Sequence, residues 1–171
     1  AVRTYVASPR HDTEYMESWL QLWDGRPNES NLLPGYGWAF PLGDGTMNVG
    51  LGTVGTNKAQ LGKVDYREML ERWLRGAPGE WGLSWDAVTE PVKGAALPMS
   101  FNRQPAYADG LLLVGDAGGM ISPFNGEGIA YAMESAELAA DAAAEAHYRG
   151  PGTSSAEKAL QGYETRLKAE L

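Results

Sequence analysis

The sequence predicts a mixed α+β / α/β chain in two lobes, an antiparallel-sheet lobe over residues 1–96 and a strand, glycine-loop and helix lobe over residues 97–171. Three observations predict it. Two alternating runs, Tyr36–Leu42 and Thr46–Val54, are joined by Gly43-Asp44-Gly45, and Asp-Gly between alternating runs is a strong hairpin signal. A short apolar run, Leu111–Val114, passes straight into the glycine-rich stretch Gly115–Ile129. The composition shifts near residue 97, from Trp- and Tyr-bearing strand-like segments to Ala-rich helical ones.

Taken in order, residues 1–8 alternate around Val2, Tyr5 and Val6 and read as a strand, broken by Ser8-Pro9. Residues 15–23 fit helix and strand periods alike; the preference here is strand. Gly25 to Pro34 is turn-rich, and the hairpin follows. Met69, Leu70, Trp73 and Leu74 fall on one helical face behind Asp65, a suitable N-cap. Residues 83–98 hold a strand or two, best placed at 92–98. Leu111–Val114 has the uniform apolarity of a buried central strand. A long helix is expected over 126–148, capped by Asn125 or Ser122 and ended by Gly150-Pro151-Gly152. A last helix, 156–170, is expected behind Ser154 or Ser155, with a charged, solvated face.

Composition narrows the function. The 171 residues are 43% hydrophobic, enough for a core, and carry 14 Lys plus Arg against 22 Asp plus Glu, a net charge of −8. That balance argues against a nucleic-acid partner, which needs a positive footprint. With no cysteine and two distant histidines, His11 and His147, neither a metal site nor a Ser-His-Asp triad is expected. His11-Asp12 with Glu14 reads as a solvated turn, and His147 as a partner for a helix C-terminus.

The glycine-rich stretch carries the chemistry. A helix N-terminus leaves backbone N–H groups unpaired and carries roughly half a positive charge. Gly126 and Gly128 strip side chains from it, so a ligand can touch that backbone. Asp116, at the strand end, supplies a carboxylate suited to ligand hydroxyls. No lysine follows, so this stretch is no P-loop, and it does not have the GxGxxG spacing either. A polyol joined to an electron-rich or anionic group, as in a nucleotide or flavin, suits the loop.

Gly115-Asp116-Ala117-Gly118, followed by Pro123 and Gly126-Glu127-Gly128-Ile129, resembles the second FAD-binding motif of flavoprotein oxidoreductases. Pro34-Gly35-Tyr36-Gly37-Trp38-Ala39-Phe40-Pro41, then Gly43-Asp44-Gly45 and Asn48-Val49-Gly50, resembles the YxWxFP signature of the geranylgeranyl reductase family. The two motifs stand in that family's order, and the Trp-rich, acidic segments are most similar to its bacterial menaquinone reductases.

The resemblance implies an antiparallel substrate lobe (1–96) joined to the C-terminal part of a Rossmann-like, hydroxylase-type FAD domain (97–171). It implies that Asp116 holds the ribityl chain and that Gly115, Ala117, Gly126, Glu127, Gly128 and Ile129 line the flavin. Pro123 would lie near the ring face, and Tyr36, Trp38, Phe40 and Pro41 would border the substrate cavity. The alternative for the aromatics is a sheet face packed on a helix. The implied reaction saturates a carbon–carbon double bond in an isoprenoid chain, a menaquinone tail or a geranylgeranyl group. An external donor would reduce FAD. Catalytic residues remain unassigned; Tyr36, water and a residue outside the chain are equal candidates for the proton. The setting implied is cytoplasmic, peripheral at the inner face of the cell membrane.

One departure stands out: no glycine precedes Gly25, so the family's N-terminal Rossmann unit and the adenosine half of the FAD site are expected to be missing. The C-terminus also reads as short, and the chain is expected to be an inactive fragment by itself. The competing readings are a flavin monooxygenase or halogenase of the same fold, in which reduced flavin meets oxygen, and a non-catalytic remnant or split subunit.

Overall fold

The computed structural model describes residues 1–54 and 64–171, and the chain divides into two compact units, Ala1–Ala96 and Leu97–Leu171. The first unit holds β1 (Val2–Ala7), β2 (Glu17–Trp19), β3 (Leu22–Trp23), β4 (Leu32–Leu33), β5 (Gly35–Pro41), β6 (Thr46–Thr53), helix α1 (Tyr66–Arg75) and β7 (Lys93–Gly94). Five strands form an antiparallel sheet in the order β2-β5-β6-β1-β7.

The period-2 alternation that predicts these strands also decides which face is buried. Thr4 and Val6 of β1, Ala39 of β5, and Met47, Val49 and Leu51 of β6 are buried with Leu22 and with Met69, Leu70 and Leu74 of α1. The Thr4 hydroxyl is satisfied by donating to the Glu90 carbonyl at 2.6 Å. Helix α1 starts where Asp65 Oδ1 accepts from the Arg67 and Glu68 amides at 2.9 and 3.0 Å. Its Trp73 lies against Gly37, where a Cβ would overlap the indole, and Trp81 meets Trp19 and Trp73 edge-on. At the β5–β6 turn Gly43 and Gly45 take positive φ, which the left-handed turn requires. Asp44 Oδ1 accepts from the Thr46 hydroxyl and amide at 2.6 and 3.0 Å, which holds this carboxyl below its ordinary value.

Residues 15–23 form strands β2 and β3, as the sequence favours. Segment 92–98 does not: only Lys93–Gly94 pairs, and short 3-10 turns occupy Gly79–Trp81 and Trp85–Ala87. Beyond Lys93–Gly94, Ala95 and Ala1 still exchange backbone hydrogen bonds in the same register, and Pro98 further on has no N–H to give.

The second unit holds β8 (Tyr107–Ala108), β9 (Leu111–Leu112), a 3-10 turn (Gly115–Gly118), α2 (Ile129–Tyr148) and α3 (Ser154–Glu170). Helices α2 and α3 pack through small residues, Ala146 against Ala156 and Ala159, while Ala142 of α2 packs in the cluster that wholly buries Tyr163 of α3. The Tyr163 hydroxyl donates to the Leu113 carbonyl at 2.7 Å, and burial raises its pKa.

Here the buried central strand expected at Leu111–Val114 is corrected. It is a two-residue strand in a two-stranded hairpin, with Leu111 55% exposed. Uniform apolarity reports that a run tolerates burial on both sides; among the described residues only β8 pairs with it. Two cap assignments also change. Thr153, not Ser154 or Ser155, caps α3, accepting from Ala156 N at 3.1 Å. Helix α2 begins at Ile129 rather than 126.

Candidate functional site

The glycine loop is pinned to the first turns of α2. Gly115 takes φ +53, and a Cβ there would lie 3.0 Å from that of Ala132, so two constraints select glycine. The buried Ser135 hydroxyl accepts from Gly115 N at 3.2 Å and donates to the Ala132 carbonyl. Ser122 N donates to the Glu127 carbonyl and Gly126 N to the Ser122 carbonyl, which closes residues 122–127 into a compact turn. Pro123, Phe124 and Asn125 stand exposed at its tip.

The expected caps at Asn125 and Ser122 are used inside this turn, on the amides of Glu127 and Phe124. Glu127 caps the helix instead: its Oε1 accepts from Ala130 N at 2.8 Å. The amides of Gly128 and Ile129 have no acceptor among the described residues, as the geometry of a helix start dictates. The exposed Asp116 carboxylate lies beside them; a Cβ on Gly128 would sit 3.6 Å from Asp116 Oδ1 and would overlap Ile121. Thus Gly115, Asp116, Gly126, Glu127, Gly128 and Ile129 converge, and Ala117 is exposed in the adjoining turn.

The charges present sort the ligands this cradle can hold. Two carboxylates, Asp116 and Glu127, disfavour a bare multiply charged anion. The open amides favour an electron-rich edge. A ligand with hydroxyls for Asp116 and a carbonyl-bearing ring edge for Gly128 and Ile129 fits. An FAD ribityl chain and flavin have this chemistry, so the residues fit the group implied by the sequence.

In the first unit, Tyr36, Trp38 and Phe40 form a ladder on β5, with ring centroids 6.0 and 6.2 Å apart. They belong to none of the core clusters; Gly37 and Ala39, between them, face the core. Among the described residues of the first unit, helix α1 packs on the opposite face of the sheet. Trp38 lies flat across β6, over Gly50 and Gly52, and its indole N–H donates to Asn48 Oδ1 at 3.0 Å. Pro41 falls on the other parity, opposite Met47, and does not share the ladder's face.

Sequence reasoning missed how far this face extends. Met16 and Leu20 flank β2 on the parity of Ser18, which pairs with Trp38, and they are 72% and 73% exposed. The signal was present in the spacing of Met16, Ser18 and Leu20, but Trp19 between them masked it. Among the described residues no three His, Asp or Glu side chains gather as metal ligands, and no helix is long and apolar enough to cross a membrane.

No protein-family model matches the chain. It is 39% identical over 143 residues to menaquinone reductase of Mycolicibacterium smegmatis, covering 82% of this chain and 33% of that protein. It is 34% identical over 141 residues to menaquinone reductase of Mycobacterium tuberculosis H37Rv, with the same coverage. Digeranylgeranylglycerophospholipid reductase of Methanocaldococcus jannaschii is 37% identical over 134 residues, covering 78% of this chain and 32% of that one. A geranylgeranyl bacteriochlorophyll reductase-like protein of Thermoplasma acidophilum shares the fold over 98% of this chain and 38% of its own, with a TM-score of 0.62 at 23% identity. The chain spans about a third of the length of the curated relatives it matches.

Proposed function

The chain belongs to the geranylgeranyl reductase family, and on that premise we propose that its two units serve a flavin-dependent reductase that saturates a carbon–carbon double bond of an isoprenoid lipid. The observation that carries the reading is the Tyr36–Trp38–Phe40 ladder, an aromatic surface left on the face of the sheet that does not form the core.

The glycine loop of the second unit would hold the flavin. Asp116 would accept from ribityl hydroxyls, and the open Gly128 and Ile129 amides would donate to the carbonyl edge of a bound flavin, where charge accumulates on reduction. A bound flavin, reduced by an external donor, supplies hydride to one alkene carbon. The chain's residues do the rest: the ladder orients the prenyl chain, excludes water and lowers the energy of positive charge on the carbon awaiting hydride. The Tyr36 hydroxyl is this chain's own candidate to protonate the other carbon. The adenosine half of the cofactor site is supplied from outside the residues described. A lipid substrate brings the protein to the cytoplasmic face of the membrane.

Two measurements test this. Lipids from cells with and without the gene, compared by mass spectrometry, should differ by two hydrogens in a prenyl tail; a hydroxylated or halogenated product would instead favour the oxygen-using relatives of the fold. In the full-length protein, Asp116→Asn should weaken flavin retention by roughly tenfold, the loss of about one charge-assisted hydrogen bond. Unchanged retention would remove Asp116 from the cofactor site.

A further inference from the structure

Of the chain's asparagines only Asn125 precedes a glycine. It stands at the exposed tip of the turn that residues 122–127 make ahead of α2, beside Pro123 and Phe124. A side-chain amide is an electrophile within reach of the next residue's backbone nitrogen, which can close a succinimide ring on it, and glycine puts no Cβ in the way. Asn28, Asn31, Asn48 and Asn102 are each followed by a residue that carries a side chain.

The turn holds the reacting groups together and partly activates them. Asn125 Oδ1 accepts from Glu127 N at 2.9 Å, which folds the side chain back over the backbone of Gly126. That oxygen gains negative charge when Cγ is attacked, and a backbone N–H already in place on it stabilises the charge as it forms. The leaving nitrogen, Asn125 Nδ2, makes no hydrogen bond among the described residues. One contact opposes the reaction: Gly126 N donates to the Ser122 carbonyl at 2.9 Å and must leave it to lose its proton. That bond closes the turn, so whatever keeps the turn closed slows the chemistry.

We propose that Asn125 is a site of spontaneous deamidation, and that a ligand seated on the adjoining cradle protects it. The protection rests on the reading of that cradle as the flavin site. Deprotonated Gly126 N attacks Asn125 Cγ; the N–Cγ bond forms, the Cγ–Nδ2 bond breaks, and ammonia leaves carrying the proton that the amide lost. Water then opens the succinimide at either carbonyl and leaves aspartate or isoaspartate. Either product adds a carboxylate to those of Asp116 and Glu127, at the start of a helix whose Gly128 and Ile129 amides lack acceptors among the described residues. The new anion competes with an electron-rich ligand edge for those amides. Isoaspartate also lengthens the backbone inside the turn. An empty cradle thus ages toward a form that no longer takes its ligand, and an occupied one does not.

The test incubates the full-length protein at mildly alkaline pH, once with FAD bound and once stripped of it. Peptide mass spectrometry follows the exchange of the amide nitrogen for oxygen at each asparagine, and an isoaspartyl methyltransferase marks the isomerised product. In the stripped protein Asn125 should convert roughly tenfold faster than Asn28 or Asn31, which are also exposed but precede a side chain. Restored FAD should slow it several-fold. Conversion of Asn125 no faster than of those two overturns the site. Equal rates with and without FAD overturn the protection. A protein that takes up no FAD at all shows no flavin absorbance; that outcome removes the reading of the cradle, and the stripped protein still judges the site by itself. The effect of the product is read on Asn125→Asp, whose FAD retention should fall by roughly tenfold, as a like charge brought to a partly solvated site does. A urea midpoint matched between the stripped proteins shows that the fold is kept. Undiminished retention overturns the competition for the amides.

Discussion

Gly50 is hemmed in from two directions, by the Trp38 ring above it and by the Val2 carbonyl oxygen of the neighbouring strand. The indole could swing aside for a methyl group; the strand backbone could not. Gly50→Ala should therefore destabilise the fold by about 1–3 kcal/mol in urea unfolding, as overpacking does, and lift the indole from Asn48. Asn48→Ala removes only the acceptor of the indole N–H and should cost about 0.5–1.5 kcal/mol. If Gly50→Ala matched the wild-type midpoint, the close approach drawn here would be wrong. The alternation of Gly50 and Gly52 with apolar residues was legible in the sequence, and so was the shared face of Tyr36, Trp38 and Phe40. What filled the glycines' place was not, because it depends on the register of β5 against β6. Pro41 shows the same limit: it closes the aromatic motif, yet one step in a strand turns it to the other face.

At the level of the element, the start of α2 decides what the glycine loop can present. Glu127 caps the helix from just before Gly128, so its carboxylate stays close to the open amides it leaves behind. Glu127→Ala should fray the first turn and lower stability by roughly 0.5–2 kcal/mol. Hydrogen exchange at Ala130 should speed up accordingly, and Glu127→Gln, which keeps an acceptor oxygen, should recover most of the protection. Exchange unchanged in Glu127→Ala would show that the cap contributes nothing. The length and Ala-rich character of this helix were plain from the sequence; its first residue was not. Asn125 and Ser122 are good capping residues, but each is spent on a tight turn of its own, and a sequence lists candidates without saying which amide each meets. Leu111–Val114 misled for a related reason: apolarity says what a strand can endure, and only the neighbouring strands say what it receives.

For the molecule as a whole, a net charge of −8 opposes approach to an anionic surface. The chain should sediment no better with phosphatidylserine-containing vesicles than with phosphatidylcholine ones, and any deficit should shrink as salt rises toward about 1 M, where screening acts within roughly 3 Å. A strong preference for the anionic vesicles would mean that a local basic surface governs membrane contact. The overall balance was readable from composition alone. That two of the chain's cations meet on one sheet face was hidden, since Arg3 and Lys93 come from opposite ends of the first unit and are joined only by the pairing of β1 with β7.

The ladder's even spacing, 6.0 and 6.2 Å from ring to ring, has a consequence for any prenyl chain laid along it. Such a chain repeats too, one methyl branch per unit. A periodic guest on a periodic host finds several near-equal resting places, each shifted by one repeat, and the host alone favours none. Choice among successive double bonds then falls to whatever arrests the slide at one end, much as the stop at the end of a rail, and not its sleepers, decides where a carriage halts.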